Sequence, residues 1–142
     1  AFQFDQRIII EQYIKGRELT VGVLDELALP VIEIIPQNKF FDFQAKYQAG
    51  FTEYIVPARL DDEITLITQK AALRAHKALG CFGCSRTDII LSQDGFPYLL
   101  EVNTIPGMTS TSLLPKAAKN IGIEFNRLCL KLLELAYEKA KI

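Results

Sequence analysis

Two short stretches carry oxygen-bearing side chains at a spacing that suits a hard cation: Arg86-Thr-Asp88 and Glu101-Val-Asn103. Between them, Asp94-Gly95 is a strong signal for a two-residue type I′ hairpin turn. With those two as the turn, Asp88 stands opposite Glu101 and Arg86 opposite Asn103. Side chains alternate across a strand, so all four share one face. The other face receives Thr87, Ile89 and Leu91 against Tyr98, Leu100 and Val102, and is expected to join the core. Two carboxylates opposed across a ladder cost about 0.2–1 kcal/mol. A divalent cation reverses that sign, and an all-oxygen donor set of Asp88, Glu101 and Asn103 suits Mg²⁺. The alternative is a solvated acidic face on which Arg86 pairs with a neighbouring carboxylate.

The segment that follows, Thr104-Ile-Pro-Gly107-Met-Thr-Ser-Thr-Ser112-Leu113, is rich in Gly, Ser and Thr and precedes a predicted helix. Free backbone N–H groups and hydroxyls at a helix start suit an anion such as a carboxylate. Helix capping alone would account for Ser110 or Ser112.

Other reactive side chains carry less. Cys81-Phe-Gly-Cys84 matches C-x-x-C, but it follows a helix rather than opening one, so the dipole does not activate a thiol there. Zinc would need two more soft ligands, and the chain offers Cys129 and a single His76. Inert, buried thiols and a packed or surface histidine are expected. Three cysteines at no framework spacing point to a reducing, cytoplasmic setting.

The whole chain has 142 residues, about one domain's worth, 49% hydrophobic and 23% charged, with net charge −1. That balance argues against a nucleic-acid binder or a polybasic membrane-surface protein. No apolar run reaches the roughly 18 residues of a spanning helix. The start has neither Met nor a signal-peptide pattern, so the chain reads as a piece of something longer.

The elements that must position these residues follow from periodicity. Strands are predicted at Arg7–Tyr13, Glu18–Leu24, Pro30–Ile35, Ser85–Leu91 and Pro97–Asn103. The first would have an unpaired edge, an aggregation liability unless covered. Residues 36–57 show no sustained period and read as a long functional loop. A helix runs from Asp61 or Asp62 to Leu79, its buried stripe expected at Ile64, Ile67, Ala71, Ala75 and Ala78, with Gly80 after its end. Pro115 fits the first turn of a short helix closing near Gly122. A last helix, about Glu124 to Lys139, carries Phe125, Leu128, Cys129, Leu132, Leu135 and Ala136 on one face. The class is α+β with a mainly antiparallel sheet.

Five stretches together resemble one family. They are Ile10-Glu-Gln-Tyr-Ile14 with Gly16-Arg-Glu18-Leu-Thr-Val-Gly22, then Asp42-Phe-Gln-Ala-Lys46-Tyr47, Arg86-Thr-Asp88, and Glu101 through Leu113. The family is the D-alanine–D-alanine ligases of the ATP-grasp superfamily; the likeness runs along nearly the whole chain, from Ile10 to the last helix, and implies that residues 1–142 are the C-terminal part of the ATP-grasp domain. The resemblance implies a cytoplasmic, homodimeric enzyme of peptidoglycan synthesis that joins two D-alanines through an acyl phosphate, with ATP and two Mg²⁺ ions (or Mn²⁺). It implies Glu11 on the adenine amino group, with backbone around Gln12, Tyr13 and Ile14, and Glu18 on the ribose. Asp88 and Glu101 would hold one ion, and Glu101 with Asn103 the other. Arg86 would orient substrate and stabilise the tetrahedral intermediate. Gly107, Ser112 and Leu113 would hold the second D-alanine. Lys46 would reach the γ-phosphate from 36–57, which resembles the family's closing lid, and Tyr47 would help close the first D-alanine site. Gln12 stands where the family often has Lys, and Tyr13 where it often has Trp. The family's N-terminal domain and the first half of its ATP-grasp domain have no counterpart, so this chain alone is expected to be inactive. Another ATP-grasp carboxylate–amine ligase, or a metal- or thiol-binding module without catalysis, are the other readings.

Overall fold

A computed structural model describes residues 2–36 and 52–141. The sheet comprises β1 (Gly16–Leu24), β2 (Leu27–Ala28), β3 (Ile32–Pro36), β4 (Thr52–Ile55), β5 (Cys84–Ser92) and β6 (Pro97–Asn103). Its order is β4-β3-β1-β5-β6, every pairing is antiparallel, and β2 pairs with the end of β1. The described residues also form three helices: α1 (Asp62–Ala78), α2 (Leu113–Asn120) and α3 (Phe125–Lys139). The predicted α+β class with an antiparallel sheet is what the chain adopts.

β1 is central because it is buried on both faces from Leu19 onward. Leu19, Val21 and Val23 face α1 with Val31, Ala72, Ile89 and Leu91. Leu24 joins Leu29, Ile32, Leu114, Ala117, Ala118 and Leu128 beneath α2 and α3. On that second face Gly22 is a close-approach position, since a Cβ there would come within 2.6 Å of the Leu114 Cδ1. The missing side chain lets α2 lie directly on the sheet.

Several elements depart from the sequence-based expectation. Arg7–Tyr13 forms no strand; it is irregular and exposed, with Ile9 and Ile10 each 87% accessible. A β-branched run needs a ladder, and none of the described strands pairs with it. Conversely, β4 lies inside the stretch read as loop, pairing Tyr54 with Ile34. Four residues are too short a run to show a period. In α1 the buried positions are Thr68, Ala72 and His76, while Ile67 is exposed and Ala78 with it. The stripe is one residue out of the predicted phase, because two polar side chains turn inward.

His76, packed as expected, is 4% exposed, and its Nδ1 lies 2.7 Å from the Ser85 Oγ. Desolvation pushes its pKa below the ordinary 6.5, the nearby Asp25 opposing this only in part. An unfolded chain therefore takes up a proton below about pH 6.5 that the folded one resists, so stability falls as pH drops through that region. Urea midpoints measured between pH 7.5 and 5 should show this slope, and His76→Gln should flatten it; an equal slope in the variant would assign it elsewhere.

The hairpin differs most instructively. A type I′ turn needs positive φ at both central residues, yet of the pair only Gly95 has it, at 77°. The chain instead makes a three-residue loop, Gln93-Asp94-Gly95, flanked by Ser92 N–H donating to the Phe96 carbonyl at 3.0 Å. Near the loop Leu91 opposes Pro97, Ile90 opposes Tyr98 and Ile89 opposes Leu99. A bulge then leaves Leu100 without a partner, and beyond it Asp88 opposes Glu101 and Arg86 opposes Asn103. The extra loop residue and the extra strand residue cancel. As a result Leu99, not Tyr98 or Leu100, shares the core-side register of Ile89. All three are more than 40% exposed on this edge strand.

Candidate functional site

The chemistry gathers on the sheet face away from α1, in rows running across the strands. Ile32, Thr20, Asp88 and Glu101 form one row, and Gly22, Arg86 and Asn103 the next. Glu18 is two residues from Thr20 on the same strand and face, half-buried. β1 and β5 fix this array firmly, since they pair from Gly16↔Ser92 to Leu24↔Cys84 without interruption.

Asp88 is held from two directions. Arg86 clasps it with both arms, Nε donating to Oδ1 at 2.9 Å and Nη2 to Oδ2 at 2.8 Å. Thr20 Oγ1 donates to Oδ1 at 2.7 Å. The bond to Asp88 keeps the Arg86 guanidinium above its ordinary pKa against the opposing cost of burial. A carboxylate has about four lone-pair sites, and three are taken. The remaining one is on Oδ2. The pairing of Arg86 with a neighbouring carboxylate, the bland alternative for this face, is thus real.

Glu101 is different. It is exposed and makes no hydrogen bond or ion pair among the described residues. Asn103 Oδ1 accepts the Ile105 N–H at 3.2 Å, which orients the amide oxygen and leaves it a second lone pair. One Arg therefore faces two carboxylates, and the uncompensated one is directly across the ladder. Asp88, Glu101 and Asn103 fit a hard divalent cation by donor type and by this charge imbalance.

The loop beyond β6 is built from its own hydroxyls. Ser112 is the N-cap of α2, yet it makes no capping bond to that helix. Its Oγ accepts the Thr109 N–H at 3.1 Å and meets the Thr109 Oγ1 at 2.8 Å. A Cβ on Gly107 would come within 2.8 Å of that same Oγ, so a side chain there would push the Ser112 hydroxyl from its place in the loop. With Pro115 at the third helical position, the amides of Leu113 and Leu114 are the first-turn donors left without a capping side chain. Leu113 is half-buried at this opening.

Glu11, Gln12 and Tyr13 are exposed in the irregular stretch before β1, and Ile14 is half-buried. The structure does not bring them against the carboxylate row. Lys46 and Tyr47 lie outside the described residues. A cavity of about 710 Å³ opens on the opposite, α1 face beside Arg17, Arg59, Leu60 and Ile64, and contains none of the candidate groups. Cys81, Cys84 and Cys129 are free thiols, and burial pushes the Cys84 thiol up, away from a reactive thiolate. Among the described residues no three His, Cys, Asp or Glu side chains converge as a metal cluster. The candidate cation site has two acids and an amide instead. Thr20, bonded to Asp88, is the member of this network that sequence reasoning missed. Its signal was a hydroxyl within the apolar part of β1, Leu19–Leu24, at a position alternating with the core.

Comparisons with known proteins identify what the chain is similar to. A family model described as the D-ala D-ala ligase C-terminus matches residues 1–134. The D-alanine–D-alanine ligase of Geotalea uraniireducens is 49% identical over 136 residues, which is 96% of this chain and 44% of that protein. That of Halalkalibacterium halodurans is 48% identical, covering 98% of this chain and 47% of that protein. The chain thus spans a little under half the length of these relatives. Among solved structures, the Bacillus anthracis D-alanine–D-alanine ligase complexed with ATP matches with TM-score 0.83 and 41% identity, over 99% of this chain and 46% of that one. The VanG D-Ala:D-Ser ligase of Enterococcus faecalis matches with TM-score 0.73 and 38% identity, over 87% of this chain and 37% of that one.

Proposed function

We propose, from the premise that this chain belongs to the D-alanine–D-alanine ligase family as its C-terminal part, that it serves an ATP-dependent enzyme joining two D-alanines for peptidoglycan. One observation carries the reading: Asp88, Glu101, Asn103 and Arg86 share one open sheet face, next to a loop whose hydroxyls and helix-start amides suit a carboxylate.

In the proposed reaction one D-alanine carboxylate oxygen attacks the γ-phosphorus of ATP, giving an acyl phosphate and ADP. The free amine of a second D-alanine then attacks the acyl carbon, phosphate leaves, and the nitrogen loses a proton. This is chemistry of positioning and charge neutralisation and needs no side-chain nucleophile. Magnesium, or manganese, held by Asp88, Glu101 and Asn103 in two sites would neutralise phosphate oxygens. Arg86, already anchored on Asp88, keeps further N–H groups for the developing oxyanion. Gly107, Ser112 and Leu113 take the acceptor's carboxylate, the amide of Leu113 being the natural donor. Glu18 faces the ribose, and Glu11 with Gln12, Tyr13 and Ile14 the adenine once the remainder of the protein covers their exposed side chains. For Lys46 and Tyr47, the γ-phosphate and lid roles rest on the sequence alone. Relatives that make D-alanyl-D-lactate usually lack this Lys-Tyr pair, which favours an amine acceptor. The same reading includes a cytoplasmic homodimer and no activity for these 142 residues by themselves.

The test is phosphate release by the full-length protein with Mg·ATP and D-alanine, with the product identified by mass. D-Alanyl-D-alanine as the main product is the expected result. Faster turnover with D-serine as acceptor would move the protein to the D-Ala:D-Ser type. Release independent of D-alanine would place it with another carboxylate–amine ligase.

A further inference from the structure

Thr20 sits at the centre of β1, directly opposite Asp88 in an unbroken antiparallel register. It is fully buried. Its Oγ1 has one proton and two acceptors in reach, the Asp88 Oδ1 at 2.7 Å and the Thr87 carbonyl at 3.1 Å. Distance and charge both favour the carboxylate, because hydroxyl donors to ionised oxygens form the shorter and stronger bonds. Its other cross-strand neighbour is Ile32, buried and apolar. Valine would fill that space equally well, so packing gives no reason for a hydroxyl here.

We infer that Thr20 is a positioning residue for Asp88, fixing through its buried hydroxyl the carboxylate that holds the divalent cation. This rests on the reading of Asp88 as a metal ligand. Arg86 also binds Asp88, but its side chain is 20% exposed, and in the proposed reaction it is shared with the substrate. Thr20 cannot swing away. Branching at Cβ restricts χ1, and full burial leaves the side chain little room to turn. Its bond engages Oδ1 from within the sheet and leaves the outward lone pair on Oδ2 for the metal. Groups that orient a metal ligand in this way typically account for about 10–100-fold in metal affinity.

The experiment uses the full-length protein with a non-hydrolysable ATP analogue and titrates Mn²⁺, reading free ion by electron paramagnetic resonance. Thr20→Val should weaken Mn²⁺ binding by about 10–100-fold. The Mg²⁺ concentration for half-maximal activity should rise in parallel, while kcat at saturating Mg²⁺ stays near that of the parent. Thr20→Ser keeps the hydroxyl and should restore most of the affinity. Should the valine variant fail to fold, Thr20→Ala against Thr20→Ser differs by the hydroxyl alone and should show the same gap. Unchanged Mn²⁺ affinity in Thr20→Val, or equal loss in Thr20→Ser, overturns the inference. Asp88→Asn separates the two levels. If it too leaves binding unchanged, the metal reading falls and this inference with it; if it alone weakens binding, only the role of Thr20 is refuted.

Discussion

Glu101→Ala in the full-length protein is expected to reduce Mg·ATP-dependent turnover by about 10²–10³-fold or more, the scale seen when one electrostatic contact to a transition state is removed. Its folding stability should stay level or rise slightly. The two effects have opposite signs for one reason. Glu101 is exposed on the edge strand and has no hydrogen bond or ion pair among the described residues. It stands across the ladder from a second carboxylate, Asp88. Removing it relieves a like-charge opposition worth about 0.2–1 kcal/mol, offset in part by its attraction to the Arg86 guanidinium, and no hydrogen bond of the fold depends on it. Only a bound cation would. Steady-state kinetics across a Mg²⁺ range, set beside a urea denaturation curve, checks both. Turnover within threefold of the parent at every Mg²⁺ concentration would remove Glu101 from the metal site. A large loss of stability would show that it has a structural partner instead.

Leu114→Ala should destabilise the fold by about 2–5 kcal/mol, the range for truncating a buried leucine. It should also raise the KM for the acceptor substrate more than it lowers kcat. Leu114 is 1% exposed and belongs to the cluster with Leu24, Leu29, Ile32 and Leu128. Its Cδ1 occupies the hollow over Gly22, so the sheet has little means of closing the cavity left behind. Leu114 is also in the first turn of α2, directly after Ser112 and Leu113. A helix loosened at this end shifts the amide and hydroxyl assigned to the acceptor's carboxylate, while the metal ligands on β5 and β6 keep their register. Urea titration and acceptor-dependent initial rates test the two halves separately. A loss below 1 kcal/mol with unchanged KM would mean that α2 is held by other contacts.

Much of this was legible in the residues. The alternation of β1, the acids and glycine bounding α1, and Pro115 in the first turn of α2 with Gly122 just past its end are local signals, and the structure follows them. Gly80 and Gly122 indeed have positive φ, at 63° and 82°. Non-local features were harder. Arg7–Tyr13 has the composition of a strand but no ladder among the described residues, and β4 is a strand chiefly because β3 lies beside it. In α1 the inward turn of His76 depends on Ser85, nine positions away in another element. No helical period can announce that partner.

By itself the amino-acid order determined which groups are available for chemistry: a set of oxygen donors, an arginine two positions before one of them, and a Gly- and hydroxyl-rich run before a helix. It also determined the α+β class, because hydrophobic periodicity is a short-range property of the chain. Which groups meet was decided only in three dimensions. The loop at Gln93–Gly95 is one residue longer than its Asp-Gly signal suggests, and unaided it would set Leu100 against Asp88 and turn Glu101 to the other face. The bulge at Leu100 restores the register. An extra residue in a strand re-aims every side chain beyond it, and where it falls depends on the partner strand's hydrogen bonds rather than on anything written locally. The hydroxyl of Thr20 on Asp88 has the same origin, since it exists only because β1 and β5, far apart in the chain, lie side by side.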